Sequence, residues 1–154
     1  MAYQKLQVGR AIAIIPDDTY NFPNPALKVV SSVSTAAPSS ISLTDTTVDF
    51  VALGVQLGDL VSIGGAYSVV EFITTNTLTL ADAISAASTP YSIYKYNYYE
   101  AAVLQAGSAG DINVETVGGD IVQFFGISAG QFIPVQVLKV LNTGTTVTNI
   151  IALW

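Results

Sequence analysis

The apolar residues of this chain come in short runs, none longer than a single β-strand. The run Ala11 to Ile15 is typical, five residues closed off by Pro16-Asp17-Asp18. Val, Ile, Thr, Tyr and Phe dominate such runs, and clusters of Gly, Asn, Asp or Ser separate them, which is the pattern of short strands joined by turns. A membrane-spanning helix needs about 18–20 continuous apolar residues. Five are too few even for the core of a secretory signal, about 7–15, and few segments have the ten-residue alternation of a membrane barrel. No window of helical length shows a capped apolar stripe. Ala81 to Ala87 supports at most a helical turn, which Ser88-Thr89-Pro90 ends. The expected class is all-β, with no membrane partner.

With 154 residues, the chain is long enough to bury a core without disulfides or metals, as one domain or two very small ones. It has five Lys plus Arg, eleven Asp plus Glu, no His and no Cys. Those zeros remove zinc fingers, thiol nucleophiles, haem attachment and every His-dependent triad. Nucleic-acid binding needs clustered Lys and Arg, so no direct nucleic-acid partner is expected. Hydrophobic residues make up 51% and charged residues 10%, against roughly 25% charged in an average domain. That excludes disorder. It also implies a surface of Ser, Thr, Asn and Gln, which leaves strand edges poorly defended against pairing. Such edges are expected to be covered by partners.

Three zones follow along the chain. Residues 1–26 hold one apolar strand and prolines 16, 23 and 25, which suit a wrapping arm or an edge rather than a central strand. Leu27 to Tyr98 contains five or six short strands, enough for a small barrel or sandwich of its own. In it Asn76 to Leu80 alternates, placing Leu78 and Leu80 on one face. Tyr99 to Trp154 has a sharper rhythm. Asp111 to Val117 alternates with Ile112 and Val114 inward, Gly118-Gly119-Asp120 turns, and Ile121 to Phe125 returns as a hairpin. Phe132 to Leu141 and Val147 to Trp154 are the remaining strands, the last tying the C-terminus into the sheet.

Candidate chemistry is thin. Asp17-Asp18 is the only adjacent acidic pair; it could ligate Ca²⁺ or serve a glycosidase, but Pro-Asp-Asp-Thr is also ordinary turn chemistry. The pairs Gly58-Asp59, Gly110-Asp111 and Gly119-Asp120 follow no calcium-loop periodicity and suit turns. Tyr91, Tyr94, Tyr96, Tyr98 and Tyr99 form the most distinctive cluster. In an extended strand Tyr94, Tyr96 and Tyr98 share a face, fitted to subunit packing or to stacking on a sugar. Lys95 is the lone basic residue among them, too little for a base-stacking platform. The candidate interface residues are Tyr94, Tyr96, Tyr98, Phe132 and Trp154. No phosphate loop, dinucleotide fingerprint or nucleophile elbow occurs, so no catalytic residue, metal ligand or cofactor is expected.

The third zone also carries a resemblance. Gly110-Asp111-Ile112-Asn113-Val114-Glu115-Thr116 runs into Gly118-Gly119-Asp120-Ile121-Val122-Gln123-Phe124. Ile127 to Val135, Asn142 to Thr146 and the ending Ile151-Ala152-Leu153-Trp154 follow. With the opening Arg10-Ala11, Pro16-Asp17-Asp18 and Pro23 to Ala26, this ordered set resembles small tailed-bacteriophage virion structural proteins of the head-decoration or spike kind. The matching pieces cover about half the chain by position. Short members run from the opening directly into the Gly-Asp hairpin, whereas here the second zone intervenes.

The resemblance implies a non-enzymatic coat or appendage protein in the virion. The low-charge β surfaces are expected to pack against copies of the chain itself, in a symmetric oligomer such as a trimer, and against the major capsid or another virion protein. The expected architecture is a small antiparallel β-sandwich or barrel frame, residues 1–28 plus 98–154, with an inserted small β-barrel-like module, residues 29–97. The competing expectation is a carbohydrate-binding module using the cluster from Tyr91 to Tyr99.

Overall fold

The computed structural model describes residues 8–25, 28–33, 40–84, 87–96 and 100–154. In chain order its strands are β1 (Ala11–Ala13), β2 (Lys28–Val33), β3 (Ser42–Thr44), β4 (Leu60–Ile63), β5 (Ala66–Ile73) and β6 (Thr77–Leu80). They continue with β7 (Pro90–Tyr94), β8 (Ala102–Gln105), β9 (Gly110–Thr116), β10 (Ile121–Ile127), β11 (Phe132–Leu141) and β12 (Ile151–Leu153). The described residues hold no α-helix, and the fold is all-β: two antiparallel six-stranded sheets, one curled into a half-barrel. The helical turn expected at Ala81 to Ala87 is not formed by its described residues, which bend instead where the Ile84 N–H donates to the Asp82 carbonyl.

The chain divides into two compact units, Met1–Thr19 with Tyr98–Trp154, and Tyr20–Asn97. The first boundary lies earlier than the expected one after position 28, for a physical reason. Tyr20 donates its phenol to Asp82 (2.7 Å), Asn21 N–H donates to the Tyr96 hydroxyl (3.1 Å), and Phe22 is buried. Those anchors hold Tyr20 to Asn24 on the second unit, where the prolines of the arm alone gave no sign of it.

The first unit is a sheet in the order β1-β12-β8-β11-β9-β10. Alternation in β9 buries Ile112 and Val114, as the sequence pattern requires. In β11 the alternation changes phase. Ile133 and Val137 face inward, then a bulge between Val137 and Lys139 turns Val140 inward in place of Lys139. Lys139 thereby stays out of the core and pairs with Glu115 of β9 at 3.0 Å. The last strand is shorter than the expected Val147 to Trp154, because Asn149 takes a left-handed conformation (φ 52°) that interrupts extension. Its approach is still pinned. Thr146 and Val147 N–H both donate to the Asp111 carbonyl, and a Cβ on Gly107 would collide with the backbone carbonyl of Asn149.

The second unit is a sheet in the order β2-β7-β4-β5-β6-β3. Leu43, Phe50, Val61, Ile63, Leu78, Leu80, Tyr91 and Ile93 form its core. Leu78 and Leu80 lie on the buried face of β6, as their spacing predicts.

Strand β12 lies between β1 and β8, with Ala152 paired to Ile12 on one side and to Leu104 on the other. Ile150 and Ala152 are buried. Deleting residues 150–154 removes both ladders and several apolar side chains, a large one being worth about 1.5–3 kcal/mol when fully buried. Against a total of roughly 5–15 kcal/mol, the truncated chain is expected to lose part of its β-sheet circular dichroism and one unfolding transition in calorimetry. An unchanged spectrum and melting profile would show that β12 is dispensable.

Candidate interaction surface

The β9–β10 hairpin is built from its turn outward. Gly119 adopts φ 87°, which a side chain would strain, and its N–H donates to the Thr116 carbonyl. Thr116 N–H donates to the Asp120 carbonyl (2.9 Å), starting the ladder that pairs Ile121 with Glu115 and Gln123 with Asn113. Strand β10 then ends the sheet, with β9 as its partner on one side. Its residues, Ile-Val-Gln-Phe-Phe-Gly-Ile, include no charge. Ile121 is 64% exposed and Phe125 72%, with Val122 and the turn residue Val117 also in solvent. An apolar edge strand facing water is the surface feature that soluble proteins ordinarily blunt with charge.

The residues singled out in the sequence fall in different places. Phe132, at the start of β11, is 53% exposed. Trp154 is partly buried and its backbone works within the frame, its carbonyl accepting from Gly9 N–H (2.7 Å) while its N–H donates to Arg10. Tyr91 points into the core, and Tyr94 closes β7, half-buried. Tyr96 follows the strand and meets the Tyr20 ring edge to face at 6.3 Å. Tyr98 and Tyr99 lie outside the described residues. Ile121, Val122 and Phe125 were not singled out, although a strand apolar at four of its first five positions, with no polar face, was there to read.

A second apolar projection lies in the other unit. Between buried Phe50 and Gly58 the chain turns through Val51, Leu53 and Leu57, the last 66% exposed. The Asp49 carboxylate caps this turn by accepting the Ala52 N–H (2.9 Å).

Several carboxylates are engaged in structure. Asp17 accepts Thr19 N–H in a local turn, as expected, but Asp18 reaches across the frame to accept both the N–H and the hydroxyl of Thr143 (2.9 and 2.8 Å). Those bonds, the backbone one first, hold the Asp18 carboxyl below its ordinary pKa. Asp59 pairs with Lys95 at 3.0 Å. Asp111 accepts the Gly126 N–H. Asp45 is fully buried; burial pushes its pKa up, but hydrogen bonds from Thr47, Tyr91 and Ser32 outweigh that and leave it below the usual value. Burial of the ring first, and the bond to Asp45 second, raise the Tyr91 phenol strongly. Among the described residues no group of three or more acidic side chains is arranged to hold a metal ion.

No protein-family model, no curated protein and no solved structure matches this chain.

Tyr91 donates to Asp45 at 2.9 Å inside the core. Tyr91→Phe removes that donor while keeping the ring, so a loss of about 1–3 kcal/mol is expected in chemical denaturation. The pH dependence has a definite sign. A carboxyl whose folded pKa lies below the unfolded 3.8 stabilises above that value, and the contribution disappears as pH falls through the folded pKa. Without the Tyr91 bond the folded pKa rises, so the variant is expected to lose stability at a higher pH than the parent. Identical acid-unfolding curves would show that the bond carries no weight.

Proposed function

We propose that this chain is a non-enzymatic structural protein of a tailed-bacteriophage virion, decorating the capsid or forming part of a vertex or collar spike. It acts by associating with copies of itself and docking on the major capsid or another virion protein. The observation that carries the reading is the uncharged edge strand β10, with Ile121 and Phe125 in solvent. On a free monomer such an edge invites indiscriminate pairing; in an assembly it is covered. The resemblance of the Gly110 to Phe124 hairpin and of the chain's ending to virion structural proteins supports the same reading, as does Phe132, exposed at the start of β11.

The glycan-binding alternative depends on tyrosine faces being available. Tyr91 is spent in the core, and Tyr96 is held by Asn21 and the Tyr20 ring.

Mass spectrometry of purified virions, with heads separated from tails, is expected to find the chain in the head fraction at a fixed copy number. Particles that assemble without it would overturn the proposal. Glycan-array binding by the isolated chain, lost in Tyr96→Ala, would replace it with the sugar-binding reading.

A further inference from the structure

Four strands end the two sheets, and β10 is the least protected of them. Strands β1 and β3 are three residues long, and β2 opens with Lys28. Short length and edge lysines defend against strand addition. Strand β10 has seven residues with neither charge nor proline. Its regular pairing with β9 runs from Ile121 to Phe124 and shifts before Ile127, so the usable edge is that first stretch. The Asp120 carbonyl accepts the Thr116 N–H and so faces β9. Backbone groups alternate sides along an antiparallel strand, which turns the N–H and C=O of Ile121 and Gln123 to the open edge.

Charge decides what can lie there. Asp120, exposed, directly precedes β10. At the other end the Asp111 carboxylate reaches from β9 to accept the Gly126 N–H at 2.9 Å. The acid between them, Glu115 opposite Ile121, is already paired with Lys139. Of the basic residues described in the first unit, Lys139 is thus engaged, and Arg10 adjoins β1 at the opposite edge of the sheet. The edge is therefore an apolar stretch with a negative charge at each end. A second copy, itself at −6, brings like charges to it: two antiparallel β10 strands would set Asp120 of each against the Asp111 end of the other.

We infer that β10 accepts, as the next strand of the sheet, an extended segment of a different protein that is apolar or β-branched in its middle and carries Lys or Arg at both ends. This names the chemistry of the virion protein on which the chain docks, and rests on the function proposed above. In strand addition the main-chain bonds supply affinity and the side chains supply selection. Ile121 and Gln123 offer the bonds here, while Asp120 and Asp111 select the ends of the segment. Because an acid stands at each end, a segment running in either direction is matched.

The test uses the full chain, isotopically labelled, and two short capped peptides of alternating Val and Thr, one with Lys at both ends and one with Glu. In NMR titration the Lys-ended peptide is expected to shift the amides of Ile121 and Gln123, to bind about tenfold more tightly than the Glu-ended one, and to weaken as salt is raised. Asp120→Asn combined with Asp111→Asn, which keeps an oxygen for the Gly126 N–H, is expected to remove that preference with the circular dichroism unchanged. Gln123→Pro, which deletes an outward donor of the edge, is expected to abolish binding. Equal binding of the two peptides, shifts centred on another edge, or no binding at millimolar concentration would overturn the inference. So would a dimer formed through β10, seen in sedimentation velocity as one that tightens with salt and is lost in Gln123→Pro. None of these outcomes touches the virion reading, which the copy number in purified heads decides.

Discussion

The pairing of β1 with β12 is the constraint on which the two-unit organisation depends. Ala11 pairs with Leu153 and Ala13 with Ile151, so the opening of the chain meets its end. Between β1 and β8 the chain leaves the first sheet and returns to it. The second unit, Tyr20–Asn97, is one continuous stretch, and the first is the two segments that flank it. Closing so long a loop costs entropy that grows only slowly with length, which makes a folded unit a tolerable insertion at that point. The kinetic consequence is heavier: the first sheet cannot be completed until its last strand is available, and non-local β pairings of this kind fold slowly.

Scarce charge is spent mainly on holding the chain together. Lys139 and Glu115 join across β11 and β9, Lys95 and Asp59 join within the second unit, and Asp18 fastens the arm to the turn at Thr143. Surface ion pairs contribute little each, about 0–1 kcal/mol, so their value here lies as much in register as in stability. What remains for the exterior is mostly neutral. That is why β10 and the Val51 to Leu57 turn present apolar side chains on stretches that carry no charge of their own.

The sequence was most legible where one physical rule acted alone. Alternation placed Ile112, Val114, Leu78 and Leu80 inward, and paired glycines marked the hairpin turn. It was least legible where a local pattern was overridden by a distant partner. Pro16-Asp17-Asp18 reads as a turn, and Asp17 makes one, but nothing near Asp18 announces Thr143. Tyr94, Tyr96 and Tyr98 read as one strand face, yet β7 ends at Tyr94. The bulge in β11 left no signature of its own; only the choice between burying Lys139 and burying Val140 explains it. The candidate surface was visible in outline, as an expectation of undefended edges, while its address on β10 required knowing which strand ends the sheet.

The buried Asp45 shows how the second unit fixes a strand too short to fix itself. Three residues of β3 provide little pairing energy, and a three-residue ladder can slip. Asp45 follows that strand directly. Its N–H donates to the Asn76 carbonyl, its carboxylate accepts from Thr47 and Tyr91, and Asn76 donates in turn to the Val48 carbonyl (2.6 Å). One node thus joins the end of β3, the turn after it, the β5–β6 connection and β7. A slip of β3 by one residue would move Leu43 out of the core and strand a buried carboxylate without partners, a penalty of several kcal/mol. An apolar residue at position 45 could match the packing energy but would impose no such penalty. The polar group therefore serves specificity: it makes the wrong registers costly, and so lets a minimal strand have a single place in the sheet.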